Sequence, residues 1–255
     1  MTSTISFPGL GIGEFTINRT AFTIFGINVQ WYGLILTTGI LVAFILFYRR
    51  AIKTERLTED DVLNVTLLTV PISIIGARIV YVLTTWSDGK YKTFYDVIAI
   101  WEGGIAIYGA ILFGLATVII YCRIRKLSTL SLLDALAPAV MMGQIIGRWG
   151  NFVNQEAYGN LVTDPSLQWF PYAVFIDSKN AWYQATFFYE SAINLIGFAI
   201  LMILIFKWKG MRRFFATGFY FVWYGFNRLI VESLRSDIQY FEFFGIKTGI
   251  KVSQL

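Results

Sequence analysis

Long apolar stretches alternate with short polar ones along almost the whole chain. A membrane-spanning helix needs ~20 mainly apolar residues, and five runs come near that length: Val29–Tyr48, Val62–Leu83, Ile105–Tyr121, Phe187–Phe206 and Phe214–Leu234. A sixth, Leu130–Gly150, is interrupted by Asp134, Pro138 and Arg148 and stays apolar between them. No stretch shows the strict apolar-polar alternation of a membrane barrel. The pattern predicts an all-α polytopic membrane protein with six transmembrane helices in one domain over residues 1–255. Residues 1–28 then form an extracytoplasmic N-terminal segment, 151–185 an extracytoplasmic loop and 236–255 a polar C-terminal tail. The first 28 residues have no basic n-region and no small-residue cleavage pattern, so a removable signal peptide is not expected.

Composition agrees. Apolar residues make up 56% of the 255 and charged residues 15%, against ~45–50% and ~25% in soluble domains. Mean hydropathy is +0.60. A soluble domain would lack the polar surface to cover such a core. Cys122 is the single cysteine and has no partner for an internal disulfide. Histidine is absent, which excludes His-based triads, His-ligated metals and imidazole bases. No metal and no cofactor are expected.

Basic residues near short loops stay on the cytoplasmic side. The connection after the first run holds Arg49, Arg50, Lys53 and Arg56. The one after the third holds Arg123, Arg125 and Lys126, and the one after the fifth Lys207, Lys209, Arg212 and Arg213. The alternate connections hold only Arg19, Lys90, Lys92 and Lys179. Eleven against four places the N-terminus outside. The net charge of +5 is thus a topology signal, and no nucleic-acid partner is implied.

In that orientation Arg78, Arg148, Arg228 and Arg235 all fall at or just beneath the outer face, level with Glu156 and Glu190. A charge within a span costs ~2.5–3.5 kcal/mol on insertion scales and usually faces a polar cavity. The nearby glutamates are too few to neutralise four arginines, so an anion is missing. Arginine's planar fork grips phosphate oxygens in pairs, which makes a phosphate group the natural candidate. Arg78 taken alone is equally well a side chain snorkelling to the headgroup layer. Arg228, Glu232 and Arg235 share one helix face with Tyr224. The densest polar set is Gly147-Arg148-Trp149-Gly150-Asn151-Phe152-Val153-Asn154-Gln155-Glu156-Ala157-Tyr158-Gly159.

That segment resembles, at every defined position, the signature G-R-x-G-N-F-x-N-x-E-x-x-G of bacterial prolipoprotein diacylglyceryl transferases. Gln30-Trp31-Tyr32-Gly33, Gly76-Ala77-Arg78, the stretch from Trp101 to Gly109, Thr186-Phe187-Phe188-Tyr189-Glu190 and the stretch from Arg228 to Arg235 are similar to further motifs of that family. The resemblance implies an enzyme of the bacterial cytoplasmic membrane with its site toward the outer leaflet. It would move the diacylglyceryl group of phosphatidylglycerol to the lipobox cysteine of preprolipoproteins, forming a thioether and releasing glycerol phosphate. Arg148 and Arg228 would hold the phosphate and stabilise the departing charge. Tyr32, Asn151, Asn154, Glu156, Gly159, Glu232 and Arg235 match positions that shape the lipid pocket.

Two departures from the family pattern stand out. Tyr108-Gly109-Ala110 occupies the place of a His-Gly-Gly whose histidine is the proposed base for the thiol. Neutral tyrosine, with a pKa near 10, is a poor base for a thiol of about 8.5. Tyr108 either orients the thiol or is an aromatic interface anchor. The family's seventh helix is also expected to be missing, because no apolar run follows Gly249. Two other readings remain at this point: a transporter for an anionic solute, and an inactive lipid-binding remnant.

Overall fold

A computed structural model describes residues 2–7, 12–25, 27–53, 55, 57–100, 103–208, 212–234, 240–243 and 246–251. The protein is mostly helical. Its helices are α1 (Trp31–Lys53), α2 (Glu59–Thr84), the short α3 (Phe94–Ile98), α4 (Ile107–Arg125), α5 (Thr129–Asn154), α6 (Thr186–Lys207) and α7 (Phe215–Leu234). Each apolar run of the sequence lies on one long helix. Five of these, α1, α2, α4, α5 and α6, are long and apolar enough to cross a membrane. The 20-residue α7 falls outside that group because Asn227, Arg228 and Glu232 dilute its apolar content. Ile40 and Leu41 on α1, Leu67 on α2 and Val222 and Leu229 on α7 all stand exposed. Water would penalise such surface, whereas lipid would not.

Outside the long helices the described residues also form four two-stranded antiparallel hairpins. They pair β1 (Thr2–Phe7) with β2 (Ile12–Asn18), β3 (Thr20–Ile24) with β4 (Ile27–Gln30), β5 (Ala173–Ile176) with β6 (Ala181–Gln184), and β7 (Tyr240–Phe243) with β8 (Ile246–Lys251). A hairpin satisfies the backbone of a polar connection locally, which segments too short for a helix need. The last of these hairpins lies within the polar tail, residues 236–255.

The chain packs as two compact units, Met1–Phe47 with Asp134–Ile238, and Tyr48–Leu133 with Gln239–Leu255. In the second unit, α2 and α4 pack against each other. Their backbones come close at Gly109, where a Cβ would lie 2.8 Å from the Gly76 carbonyl carbon and 2.9 Å from the Ala77 Cα. Thr58 caps α2 by accepting from the Asp61 amide at 3.1 Å. Buried Asp61 in turn accepts from the Tyr121 hydroxyl at 3.0 Å and from Arg125 Nε at 3.1 Å, tying the start of α2 to the end of α4.

In the first unit, α6 and α7 pack side by side. Ala137 and Met141 of α5, Leu201 of α6 and Ala216 of α7 form a buried apolar cluster against which Tyr220 and Trp223 lie. Asp134 closes the N-terminal end of α7. It accepts from the Phe214 amide at 2.6 Å, the Thr217 amide at 2.9 Å and the Thr217 hydroxyl at 2.8 Å. A carboxylate on the free amides of a helix start is favoured by both hydrogen bonding and the helix dipole. Replacing Asp134 with Ala should lower stability in detergent by about 1–3 kcal/mol, read from the thermal unfolding midpoint.

Candidate active site

The expected signature runs off the C-terminal end of α5. Its helix stops at Asn154, and Gln155 and Ala157 then take left-handed backbone angles, each with φ of 53°. The buried Gln155 amide secures that turn, donating to the Phe175 carbonyl at 3.4 Å and accepting from the Asp177 amide at 3.1 Å. The β5–β6 hairpin thus holds the chain that carries Glu156 and Gly159. At Gly159 a Cβ would meet the Leu234 carbonyl at 2.7 Å, the Thr186 methyl at 2.8 Å and Gln184 Cβ at 2.9 Å. Glycine there lets the loop, the start of α6 and the end of α7 meet, a packing role beside the pocket role expected of it.

Arg148 of α5 pairs with Glu190 of α6, and the carboxylate is almost fully buried, its side chain 5% exposed. Among the described residues Glu190 is the one hydrogen-bonding partner of Arg148, and it takes Nη2 alone. Nε and Nη1 keep donors in a fixed planar fork. Glu190 is the residue missed in naming the site. Its place near the start of an apolar run was legible, but its contact with Arg148 depends on the rotation of two helices.

The first turn of α1 brings Tyr32 against Gly150, where a Cβ would lie 2.8 Å from the ring. Both Glu156 and Arg148 act electrostatically on the Tyr32 hydroxyl. Asn154 donates to Glu156 at 2.6 Å. Tyr32 and Asn154 line a polar cavity of about 320 Å³ together with Arg19, Thr20 and Gln30. The last three come from the β3–β4 hairpin and its lead-in, a hairpin that the sequence pattern did not predict. Asn151 is half-buried on α5, and its carbonyl accepts from the Glu156 amide at 2.9 Å.

On α7, Arg228 Nη2 lies 3.1 Å from Glu232 Oε2, with side chains 20% and 13% exposed. An Arg placed before a Glu is the less favourable order for an i,i+4 pair, and Glu near a helix C-terminus opposes the dipole. The pair therefore adds little to helix stability. Arg235 lies outside the described residues.

Two expected site residues belong to the second unit. Tyr108, in the first turn of α4, is 40% exposed. Arg78 is buried, and its guanidinium is occupied by backbone carbonyls. Nε donates to Val97 at 2.8 Å, Nη1 to Gly103 at 2.7 Å and Gly104 at 2.8 Å, and Nη2 to Asp96 at 2.6 Å. Its guanidinium carbon also stands 5.5 Å from the centre of the Tyr81 ring. With four of five donors spent, Arg78 is no phosphate fork, and the expectation that it binds lipid phosphate gives way to an organising role. It holds α3 and the glycine pair against α2.

A family model described as prolipoprotein diacylglyceryl transferase matches residues 19–255. The chain belongs to that family. The chain is 39% identical over 246 residues to the phosphatidylglycerol–prolipoprotein diacylglyceryl transferase of Streptococcus equi subsp. equi (strain 4047), covering 93% of this chain and 89% of the relative. It is also 39% identical over 230 residues to the protein of the same name from Streptococcus pneumoniae (strain Hungary19A-6), covering 89% and 83%. The family match spans every residue of the polar cavity and both arginine–glutamate pairs.

Replacing Arg78 with Met would take the donor from four partly buried carbonyls and should cost about 1–3 kcal/mol, measured by thermal unfolding, with the α3 segment becoming open to protease. The same segment should respond to acid. Asp96 accepts from the amides of Thr93 at 2.8 Å and Lys92 at 2.9 Å, which hold its carboxyl below the usual value. A lowered folded pKa stabilises fully above the unfolded value and is lost as pH falls through the folded one. Pepsin cleavage within 90–104 should therefore rise only below about pH 4, and Asp96→Asn should remove that step.

Proposed function

We propose that this chain transfers the diacylglyceryl group of phosphatidylglycerol to the lipobox cysteine thiol of preprolipoproteins, in a bacterial cytoplasmic membrane. The observation that carries the reading is Arg148, paired on one nitrogen with buried Glu190 and keeping further donors in a plane. The names of the relatives supply the substrates.

The reaction has one electronic demand. The cysteine sulfur forms a bond to the glycerol carbon while that carbon's bond to the phosphate oxygen breaks. The bonding electrons leave with glycerol phosphate, and the thiol proton passes to solvent. Charge therefore grows on a phosphate oxygen. Fixed donors aimed at developing charge in a dry site are the usual source of rate. Arg148 and Arg228 supply those donors. Glu190 and Glu232 hold them in place and keep the site near neutral until an anion arrives. Tyr32, Asn151, Asn154 and Glu156 shape the polar side of the pocket, Arg235, seven residues beyond Arg228 in the sequence, belongs to the same proposed set, and Tyr108 either orients the thiol or anchors α4 at the interface.

Six spans with the N-terminus outside complete the reading, with α7 as the sixth and the site toward the outer leaflet. Helix ends support this orientation. Arg50 and Lys53 lie in the last turn of α1, Arg123 and Arg125 in that of α4 and Lys207 in that of α6, whereas the last turns of α2, α5 and α7 carry no basic residue. Basic residues flank cytoplasmic ends and also suit helix C-termini.

Purified protein in phosphatidylglycerol liposomes should convert a lipobox peptide to its diacylglyceryl thioether. Solute flux without thioether would instead support a transporter, and lipid binding alone a remnant. Arg148→Ala should abolish transfer while the protein still inserts. Arg148→Lys should restore little, because a point charge does not grip two oxygens. Near-native transfer by the lysine variant would rule out the bidentate grip.

A further inference from the structure

We propose that Gln144 and Tyr220 form a subsite for a glycerol-ester carbonyl of the diacyl lipid, one helical turn along α5 from Arg148. The proposal rests on the lipid-transfer reading and adds to it a grip on the portion that is transferred. Gln144 Nε2 donates to the Tyr220 hydroxyl at 2.9 Å, bridging α5 and α7. Gln144 Oε1 is buried and has no hydrogen-bond partner among the described residues. A buried amide left half-satisfied is costly, so a glutamine retained there solely to meet Tyr220 is poorly explained.

Its placement says what it would meet. Residues four apart lie on one helix face with about 6 Å of rise between them. Gln144 and Arg148 are so spaced on α5, as are Tyr220, Tyr224 and Arg228 on α7. The Tyr220 ring stacks on Tyr224 at 5.9 Å and lies against the apolar cluster around Met141 and Leu201. The Gln144–Tyr220 bond is therefore the lower rung of a polar stripe bounded by a dry, aromatic floor.

A diacylglycerophospholipid presents its two ester carbonyls a few bonds from the phosphate toward the bilayer centre, a span of about one helical turn. An ester carbonyl accepts and does not donate. Rotation of the Gln144 amide meets that need without losing Tyr220. The tyrosine hydroxyl then donates to Oε1, and Nε2 turns to the ester. The carbon attacked by the thiol lies between phosphate and esters, so anchors on both sides would fix it for reaction.

The esters take part in no bond change, so their removal reads binding alone. The test compares phosphatidylglycerol with its dialkyl-ether analogue of equal chain length, using a lipobox peptide and the intact protein. For the native chain, KM should be about three- to tenfold lower for the diester, the worth of one buried hydrogen bond, with kcat similar. Gln144→Met should raise the diester KM by that factor and leave the diether KM unchanged, and Tyr220→Phe should shift it in the same direction by less. Equal KM values for both lipids in the native chain would overturn the subsite whatever the variants do. So would a Gln144→Met variant impaired equally on both lipids, which marks a structural role. Absence of thioether from either lipid would instead sink the transferase reading and this subsite with it.

Discussion

The ion pair of Arg148 with Glu190 is the constraint around which the first unit is arranged. A carboxylate 5% exposed inside an apolar bundle costs several kcal/mol unless it is paired. Glu190 therefore dictates where the guanidinium of α5 must stand. The same turns of α6 hold its neighbours. Ser191 donates to the Ile145 carbonyl of α5 at 2.9 Å. Trp223 donates to the Ile193 carbonyl at 3.1 Å, and Asn227 donates to Asn194 at 2.8 Å and to the Glu190 carbonyl at 3.4 Å. Trp223 and Asn227 are one turn apart on α7, so that helix hangs on α6 by a single polar seam. Without a hydrophobic force between helices in lipid, such bonds and close packing carry the association. The seam that builds the bundle also fixes where Arg148 stands.

Arg78, buried, and Arg148, half-buried, show why charge alone does not identify a site. Arg78 spends four donors on neutral carbonyls. It brings an uncompensated positive charge but has no geometry left for an anion. Arg148 meets one carboxylate, so its charge is balanced while most of its donors remain. Arg148 keeps most of its donors for a further acceptor, whereas Arg78 keeps one. The difference lies in what surrounds each guanidinium, and a sequence gives only depth.

The long helices were legible because apolar runs of spanning length admit few alternatives, and each run overlaps one long helix. The local chemistry of Arg228 and Glu232 was legible too, since an i,i+4 spacing fixes proximity. Azimuth was not. Pairing Arg148 with Glu190 joins residues 42 apart through the rotation of two helices, to which an apolar run is indifferent. The β3–β4 hairpin that adds Arg19, Thr20 and Gln30 to the polar cavity has strands of five and four residues. Strands so short leave too few alternations to register against the stronger apolar signal beside them.

The absence of histidine bears on how the proposed reaction would divide its barrier. A thiol with a pKa of about 8.5 is a few per cent ionised at neutral pH, a handicap of about 2 kcal/mol. Supplying a base would recover at most that for thiolate formation. Losing a single well-placed donor to developing oxyanion charge typically costs ~2.7–4 kcal/mol, and two arginine forks offer several such donors. The larger lever is therefore leaving-group stabilisation, and a chain with Tyr108 where the family pattern has histidine forgoes the smaller one. In the proposed reaction, depleting thiolate would slow transfer in proportion, whereas displacing Arg148 from its place beside Glu190 would remove donors that the departing phosphate oxygen needs.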